Sequence, residues 1–185
     1  MNNTWFTADT HFCHANIIKY AYRPFKEIAE MNETIIQRWN ERVMSGDTIY
    51  HLGDFGLARE YEMSYLLNIL KRLRGNIVFI EGNHDKKTRL MKEYFYRYYY
   101  QYKEISVMGQ DITLCHYPLK VWNKSHFGAW NLFGHCHGTL PDDPDALSID
   151  VGVDCHDFYP ISFDEIKVIM SKKTFKPVDH HGGDK

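Results

Sequence analysis

The chain has 185 residues, 44% hydrophobic, 15% aromatic and 25% charged, which suits one domain able to bury a core without disulfide staples. With 12 Gly, 6 Pro and an ordinary apolar share, collagen-like, disordered and coiled-coil readings fail. A formal charge of −2 leaves no basic field for sequence-independent nucleic-acid binding, while 11 histidines direct attention to metal ligation.

In chain order, Trp5 to Asp9 reads as a short buried strand that delivers polar residues at its end. Ile28, Met31, Ile35, Trp39 and Val43 recur at helical steps, and Gly46-Asp47 stops that helix. Thr48 to Leu52 is a second strand, closed by Gly53. Leu66, Leu67, Leu70 and Leu73 mark a second helix with Gly75 placed to cap it. Ile77 to Ile80 is a third strand. This alternation predicts an α/β domain with parallel strands. The second half is richer in strands. Ile105–Met108 and Ile112–Cys115 flank a hairpin turn expected at Gly109-Gln110, and Trp130–Phe133 and Ile149–Val153 follow. Ser162 and Glu165 have capping-box spacing before a last helix with Ile166, Ile169 and Met170. The expected architecture is a two-sheet β-sandwich core flanked by helices, four layers in the order α/β/β/α. It forms a single domain over 1–173, followed by a flexible polar tail over 174–185 that carries His180 and His181.

Cys13, Cys115, Cys136 and Cys155 form no C-x-x-C pair, which fits reduced thiols in the cytoplasm. No apolar run approaches the ~20 residues that span a bilayer. The N-terminus lacks the basic-then-apolar pattern of a secretory signal, so no membrane association is expected.

Five polar segments each end or follow a strand: Asp9-Thr10-His11, Gly53-Asp54, Gly82-Asn83-His84-Asp85, His116, and Gly134-His135-Cys136-His137. Loops at strand ends of layered α/β proteins converge on one edge, where ligands bind. Singly, each segment reads as turn chemistry. Together they gather carboxylates, imidazoles and an amide, a donor set for Mn²⁺, Fe or Zn²⁺ in an open site rather than for a cysteine-rich structural zinc. A carboxylate between two metals bridges them, and such a pair clamps the attacking and leaving oxygens of phosphoryl transfer.

The ordered set D-x-H, G-D, G-N-H-D, H and G-H-x-H, from Asp9 to His137, resembles the calcineurin-like metallophosphoesterase superfamily. The stretches Asp9 to Ile18, His51 to Phe55, His116 to Trp130 and Asp150 to Ile161 are similar to a compact bacterial and phage branch of it. The resemblance implies roles. Asp9, His11 and His137 would hold one divalent metal, and Asn83, His116 and His135 the second. Asp54 would bridge them, with a bridging hydroxide as nucleophile. The metals would be Mn²⁺ first, with Fe, Zn²⁺ or Ni²⁺ as alternatives. His84 would stand over the phosphate as general acid or as a donor to the phosphoryl oxygens, with Asp85 orienting its ring. Serine/threonine phosphatases of the superfamily resemble G-D-x-V-D-R-G followed by G-N-H-E. Here Gly53-Asp54-Phe55-Gly56-Leu57 has no arginine in register and the later motif ends in Asp85. The implied activity is therefore hydrolysis of phosphate esters, most closely nucleotide-type or other small diesters, with nucleic-acid ends also open. A phosphomonoesterase and a non-catalytic metal-binding scaffold are the competing readings.

Other residues carry two readings each. His14 is a phosphate contact or a structural hydrogen-bonder. Arg23, Trp122 and Lys124 are candidate substrate contacts, Trp122 and Lys124 because their segment runs between His116 and His135. His51 reads as a buried supporting histidine. His126 and His156 are surface residues or supports. Lys86, Lys87, Arg89 and Lys92 either steer an anion or form a solvated face. The aromatic run Tyr94 to Tyr102 is either a base-stacking platform or an element edge that packs on the core or makes a subunit contact.

Overall fold

A strand that begins at the fourth residue sets the architecture of the computed structural model, which describes residues 2–178. His180 and His181 lie outside the described residues. In chain order the elements are β1 (Thr4–Thr7), α1 (Ile17–Tyr20), α2 (Ile28–Arg42), β2 (Thr48–His51), α3 (Met63–Arg72), β3 (Asn76–Ile80) and β4 (Arg97–Tyr99). They continue with β5 (Tyr102–Val107), β6 (Gln110–Cys115), β7 (Trp130–Phe133), β8 (Ser148–Asp150), β9 (Ile161–Ser162) and α4 (Phe163–Met170). The first sheet has the order β4-β3-β2-β1-β9; β1 to β4 are parallel and β9 runs antiparallel to β1. The second has the order β5-β6-β7-β8, an antiparallel hairpin continued by two parallel strands.

The two sheets share one apolar layer, and alternation along the strands builds it. In β1, Trp5 faces the helices and Phe6 faces the second sheet. The helix-side core collects Met31, Ile35, Ile36 and Trp39 from α2 with Leu66, Ile69 and Leu70 from α3. The layer between the sheets collects Phe6, Leu52 and Ile80 from one and Ile112, Leu114, Leu132 and Ile149 from the other, closed by Phe163, Ile166 and Met170 of α4. The α/β sandwich flanked by helices is therefore the observed fold. Buried Asp47 anchors the turn after α2 by accepting from Asn3 N, Trp5 Nε1 and Met44 N. The Ser162–Glu165 capping box forms as the spacing predicts.

Four details differ from expectation, the first being that the strand expected over Ile149–Val153 ends at Asp150, with a 3₁₀ turn from Val153. The hairpin turn sits at Met108-Gly109, with φ of 50° and 84°, and Gln110 is already the first residue of β6. A two-residue turn with both φ values positive matches strand twist, and exposed Met108 meets no packing obstacle there. The short strand β9 had no sequence signal. The aromatic run splits. Phe95 and Tyr98 pack on Phe79, with ring centroids 4.6 and 5.3 Å away, Arg97–Tyr99 forms edge strand β4, and Tyr94, Tyr96, Tyr100 and Tyr102 are exposed. At the other end of the chain, Thr174 N and Lys176 N donate to the carbonyls of Pro144 and Asp145.

Candidate metal centre

Every polar segment starts where a strand ends, and all these ends lie along one edge of the sandwich. Backbone bonds stitch the loops together: Asp9 N donates to Gly53 O, His11 N to Asp54 O, Gly134 N to His116 O and Val153 N to Ala8 O, each at 2.9–3.0 Å. Asp9, His11, Asp54, His135 and His137 all take positive φ, from 49° to 72°. Non-glycine residues rarely adopt that region, at about 1–3 kcal/mol each, so the surrounding bonds must hold them there. The motif glycines allow close approach. A Cβ on Gly82 would lie 2.5 Å from Asp54 Oδ1, and one on Gly134 would lie 2.5 Å from Asp9 Oδ2.

Two groups of donors result. Ligand atoms of Asp9, His11 and His137 lie within 4.8 Å of one another, as do those of Asp9, Asp54 and His116. Asp54 joins them: its Oδ2 is 3.5 Å from His11 Nε2 and 3.5 Å from His116 Nε2. Asn83 Oδ1 is 2.8 Å from His116 Nε2 and 3.1 Å from His135 Nδ1. Burial, then the neighbouring carboxylates of Asp54 and Asp150, raise the Asp9 pKa well above the usual range. Burial, then the Arg23 charge, lowers that of His11. Burial likewise lowers His116 against the pull of Asp54. With His116 Nδ1 2.7 Å from Leu52 O, a neutral ring donates there and turns an Nε2 lone pair on the Asn83 and Asp54 oxygens. Asp9 Oδ1 and His11 Nε2 are buried with no hydrogen-bond partner. Lone pairs that converge without a donor between them fit divalent cations, which satisfy them all at once.

A sequence profile described as calcineurin-like phosphoesterase matches residues 3–183. The chain belongs to this family. It is thus a metal-dependent phosphoesterase. It is 35% identical to the uncharacterised protein MJ1445 of Methanocaldococcus jannaschii over 177 residues, 93% of each chain. The crystal structure of a protein of unknown function, AQ665 from Aquifex aeolicus, is similar with a TM-score of 0.73 and 28% identity, over 91% of this chain and 100% of that one. A structure described as a novel archaeal phosphodiesterase shares the fold with a TM-score of 0.50 and 16% identity, over 81% of this chain and 83% of that one.

Around the phosphoesterase's donor cluster, His84 donates its backbone N–H to Asp54 Oδ1 at 2.9 Å, and its exposed ring lies 5.7 Å from that of His11. His14 Nδ1 is 3.3 Å from His11 Nδ1, and its ring is 6.3 Å from that of His84. Asp85 does not orient the His84 ring. Its Oδ2 accepts from Asp54 N at 2.6 Å and Gly82 N at 2.8 Å, its Oδ1 from Phe55 N at 3.0 Å, and burial pushes its carboxyl up to about 6. It holds the backbone of the Asp54 loop instead. Arg23 is not a substrate contact either: its guanidinium is buried against Asp154 and the carbonyls of Asp9 and Thr10. Trp122 is buried, donates Nε1 to Ala129 O, and lines a cavity of about 1050 Å³ over the second sheet with Leu119 and Phe133. Lys124 binds Asp111 Oδ2 at 2.7 Å. Asp111 lies five residues before His116 on β6, about 17 Å along an extended strand, so the connection swings Lys124 to the far end of the sheet. Lys87 Nζ donates to Ala58 O, and Arg89 pairs with Glu81. His51 is fully buried with Nε2 3.0 Å from Thr10 Oγ1.

Asp154, after β8, carries a role that sequence reasoning missed. Its Oδ2 is 2.7 Å from His137 Nδ1. Burial pushes its carboxyl up, but the hydrogen bonds from His137 and Arg23 and the Arg23 charge outweigh this and lower its pKa. It is then an ionised acceptor, and His137 Nδ1 is the donor. Tyr117 was missed too; its ring packs 4.7 Å from that of His135. A carboxylate following a strand was the available signal for Asp154, the same rhythm that marked the other segments.

Proposed function

We propose that this phosphoesterase hydrolyses small phosphodiesters of nucleotide type with two divalent cations, Mn²⁺ first. Asp9, His11 and His137 would hold one, Asn83, His116 and His135 the other, and Asp54 would bridge them. The observation that carries this reading is the Asp54 carboxylate, equidistant from an imidazole of each group. Bound there, such cations supply Lewis acidity at the phosphoryl oxygens and an activated water. The chain supplies the rest. Asp54 would set its carboxylate between the two positive centres. The His84 ring, exposed beside His11, gives a proton to the departing oxygen, whose basicity otherwise slows its release. His14 beside it contacts the phosphate. Arg23, turned inward on Asp154, offers the substrate no guanidinium. A monoanionic diester needs less cationic clamping than a dianionic monoester, which favours the diester. The four free cysteines support a reducing, cytoplasmic setting.

A panel of aryl mono- and diesters and of 2′,3′- and 3′,5′-cyclic nucleotides, run after chelation and reloading with Mn²⁺, Ni²⁺, Zn²⁺ or Mg²⁺, tests the reading. Metal-dependent turnover with diesters preferred is expected. Preference for monoesters refutes the substrate class, and absence of turnover with two metals measured per chain moves the protein to the scaffold class.

A further inference from the structure

Arg23 has five N–H donors, and the structure accounts for each. Nε and Nη2 form a bidentate pair with Asp154 Oδ1 and Oδ2, both at 2.8 Å. Nη2 also donates to Asp9 O at 2.7 Å, and Nη1 donates to Thr10 O at 3.1 Å and faces Met31 Sδ at 3.4 Å. The Phe158 ring covers the guanidinium, its centroid 5.6 Å from Cζ. The arginine therefore grips the backbone of the loop that presents Asp9 and His11 and, 131 residues away in sequence, the carboxylate that receives His137 Nδ1–H. With Nδ1 engaged, His137 is left with Nε2 for a ligand, and the ring cannot rotate without breaking a 2.7 Å bond. The second donor group has a different support: His116 Nδ1 goes to the Leu52 carbonyl, and Asn83 follows the Gly82 turn held by Asp85.

We infer that Arg23 and Asp154 form a positioning bracket that presets one cation position, that of Asp9, His11 and His137, and reaches the other only through Asp9. The inference rests on the two-cation reading above. It makes the two positions unequal: the bracketed one depends on a planar, bidentate arginine, which a lysine cannot reproduce.

Asp154→Asn and Arg23→Lys test it, with Mn²⁺ titrated calorimetrically into chelator-stripped protein and thermal unfolding followed without metal. An asparagine oxygen placed where Oδ2 sits keeps Arg23 Nη2 and His137 Nδ1, but its amide nitrogen then faces Arg23 Nε–H, donor against donor, so the bidentate grip is lost. One of two sites should lose about 10–100-fold in affinity while the other changes much less. KM should stay near wild type, and kcat should fall at limiting Mn²⁺ and recover at high Mn²⁺. Arg23→Lys should show the same one-site loss. Equal weakening of both sites, unchanged binding in both variants, or failure of both variants to fold overturns the bracket and leaves Arg23 a plain structural ion pair. Wild-type protein that takes up no divalent cation refutes the two-cation reading itself, so the two failures are distinguishable.

Discussion

Replacing Asp85 with Asn decides between two jobs for one carboxylate. As a support, Asp85 satisfies three buried donors, the backbone N–H groups of Asp54, Phe55 and Gly82. An asparagine oxygen placed where Oδ2 sits keeps Asp54 and Gly82. Its amide nitrogen then faces Phe55 N–H, donor against donor. One unsatisfied buried donor costs about 1–3 kcal/mol. For a chain of this size each kcal/mol lowers Tm by about 2–4 °C, so the expected fall is about 2–12 °C. Because the disturbed backbone carries Asp54, metal content should fall with stability, and turnover should fall equally for aryl and alkyl diesters. The assay is thermal and urea unfolding without metal, metal analysis of the loaded protein, and rates on two diesters that differ in leaving-group pKa. Wild-type stability and metal content, with a loss confined to the alkyl substrate, would mean that Asp85 acts through the His84 ring, and the argument from backbone donors would be wrong.

Three further outcomes are expected. Asp54→Asn should retain little metal and almost no activity, because an amide has no charge to place between two cations; metal analysis showing two equivalents with full turnover contradicts the bridge. His84→Ala keeps the backbone N–H that binds Asp54 Oδ1. It should load metal normally and lose ~10²–10⁴-fold on alkyl or nucleoside leaving groups but much less on p-nitrophenolate; uniform loss would assign His84 to the phosphoryl oxygens instead. His51, fully buried, is held down to about 3 by burial and then by the neighbouring His116 imidazole, against 6.5 for an ordinary histidine. Its neutral form is the one that folds, so its stabilising contribution is intact above about pH 6.5. That contribution is lost by about 1.4 kcal/mol per pH unit as pH falls toward 3. His51→Gln keeps a donor for Thr10 Oγ1 without titrating, so urea unfolding of metal-free protein between pH 4 and 7 should show a shallower acid limb, by about one proton; parallel limbs exclude His51 as the titrating group.

What could be read in the sequence was whatever repeats locally. Trp130–Phe133 and the Ser162–Glu165 cap emerged where expected because burial and capping leave short-range patterns. The α2 stripe did too, since Met31, Ile35 and Trp39 share a face whatever they pack against. Strand β9 has two residues and exists only because β1 offers it an edge, so no period could announce it. The donor cluster was legible as a set because each member follows a strand, and the fold brings strand ends together. The roles of Arg23 and Asp85 were not. An arginine ahead of Pro24 looks like an exposed phosphate contact until a carboxylate 131 residues later reaches it. Asp85 looks like a partner for its neighbour His84, but the buried N–H groups of another loop compete for it more strongly.

The distribution of donors between the sheets has a mechanical consequence. Asp9, His11, Asp54 and Asn83 follow strands of the first sheet, and His116, His135 and His137 follow strands of the second. Asp54 touches His116 across that seam, and Asp154 carries the grip on the Asp9 loop over to His137. The apolar layer of Phe6, Leu52, Ile80, Leu114 and Leu132 already holds the sheets together beneath the site. Cations at the edge would therefore add to a sandwich whose apolar layer is already packed. They would act on the residues with positive φ above that layer, where mutual repulsion of buried carboxylates and backbone strain would otherwise favour opening. A centre built this way gains rigidity from a core it does not share. That is why its donor residues tolerate conformations their own side chains disfavour, and why its weak points are the polar supports, Asp85 and Asp154, rather than the apolar packing.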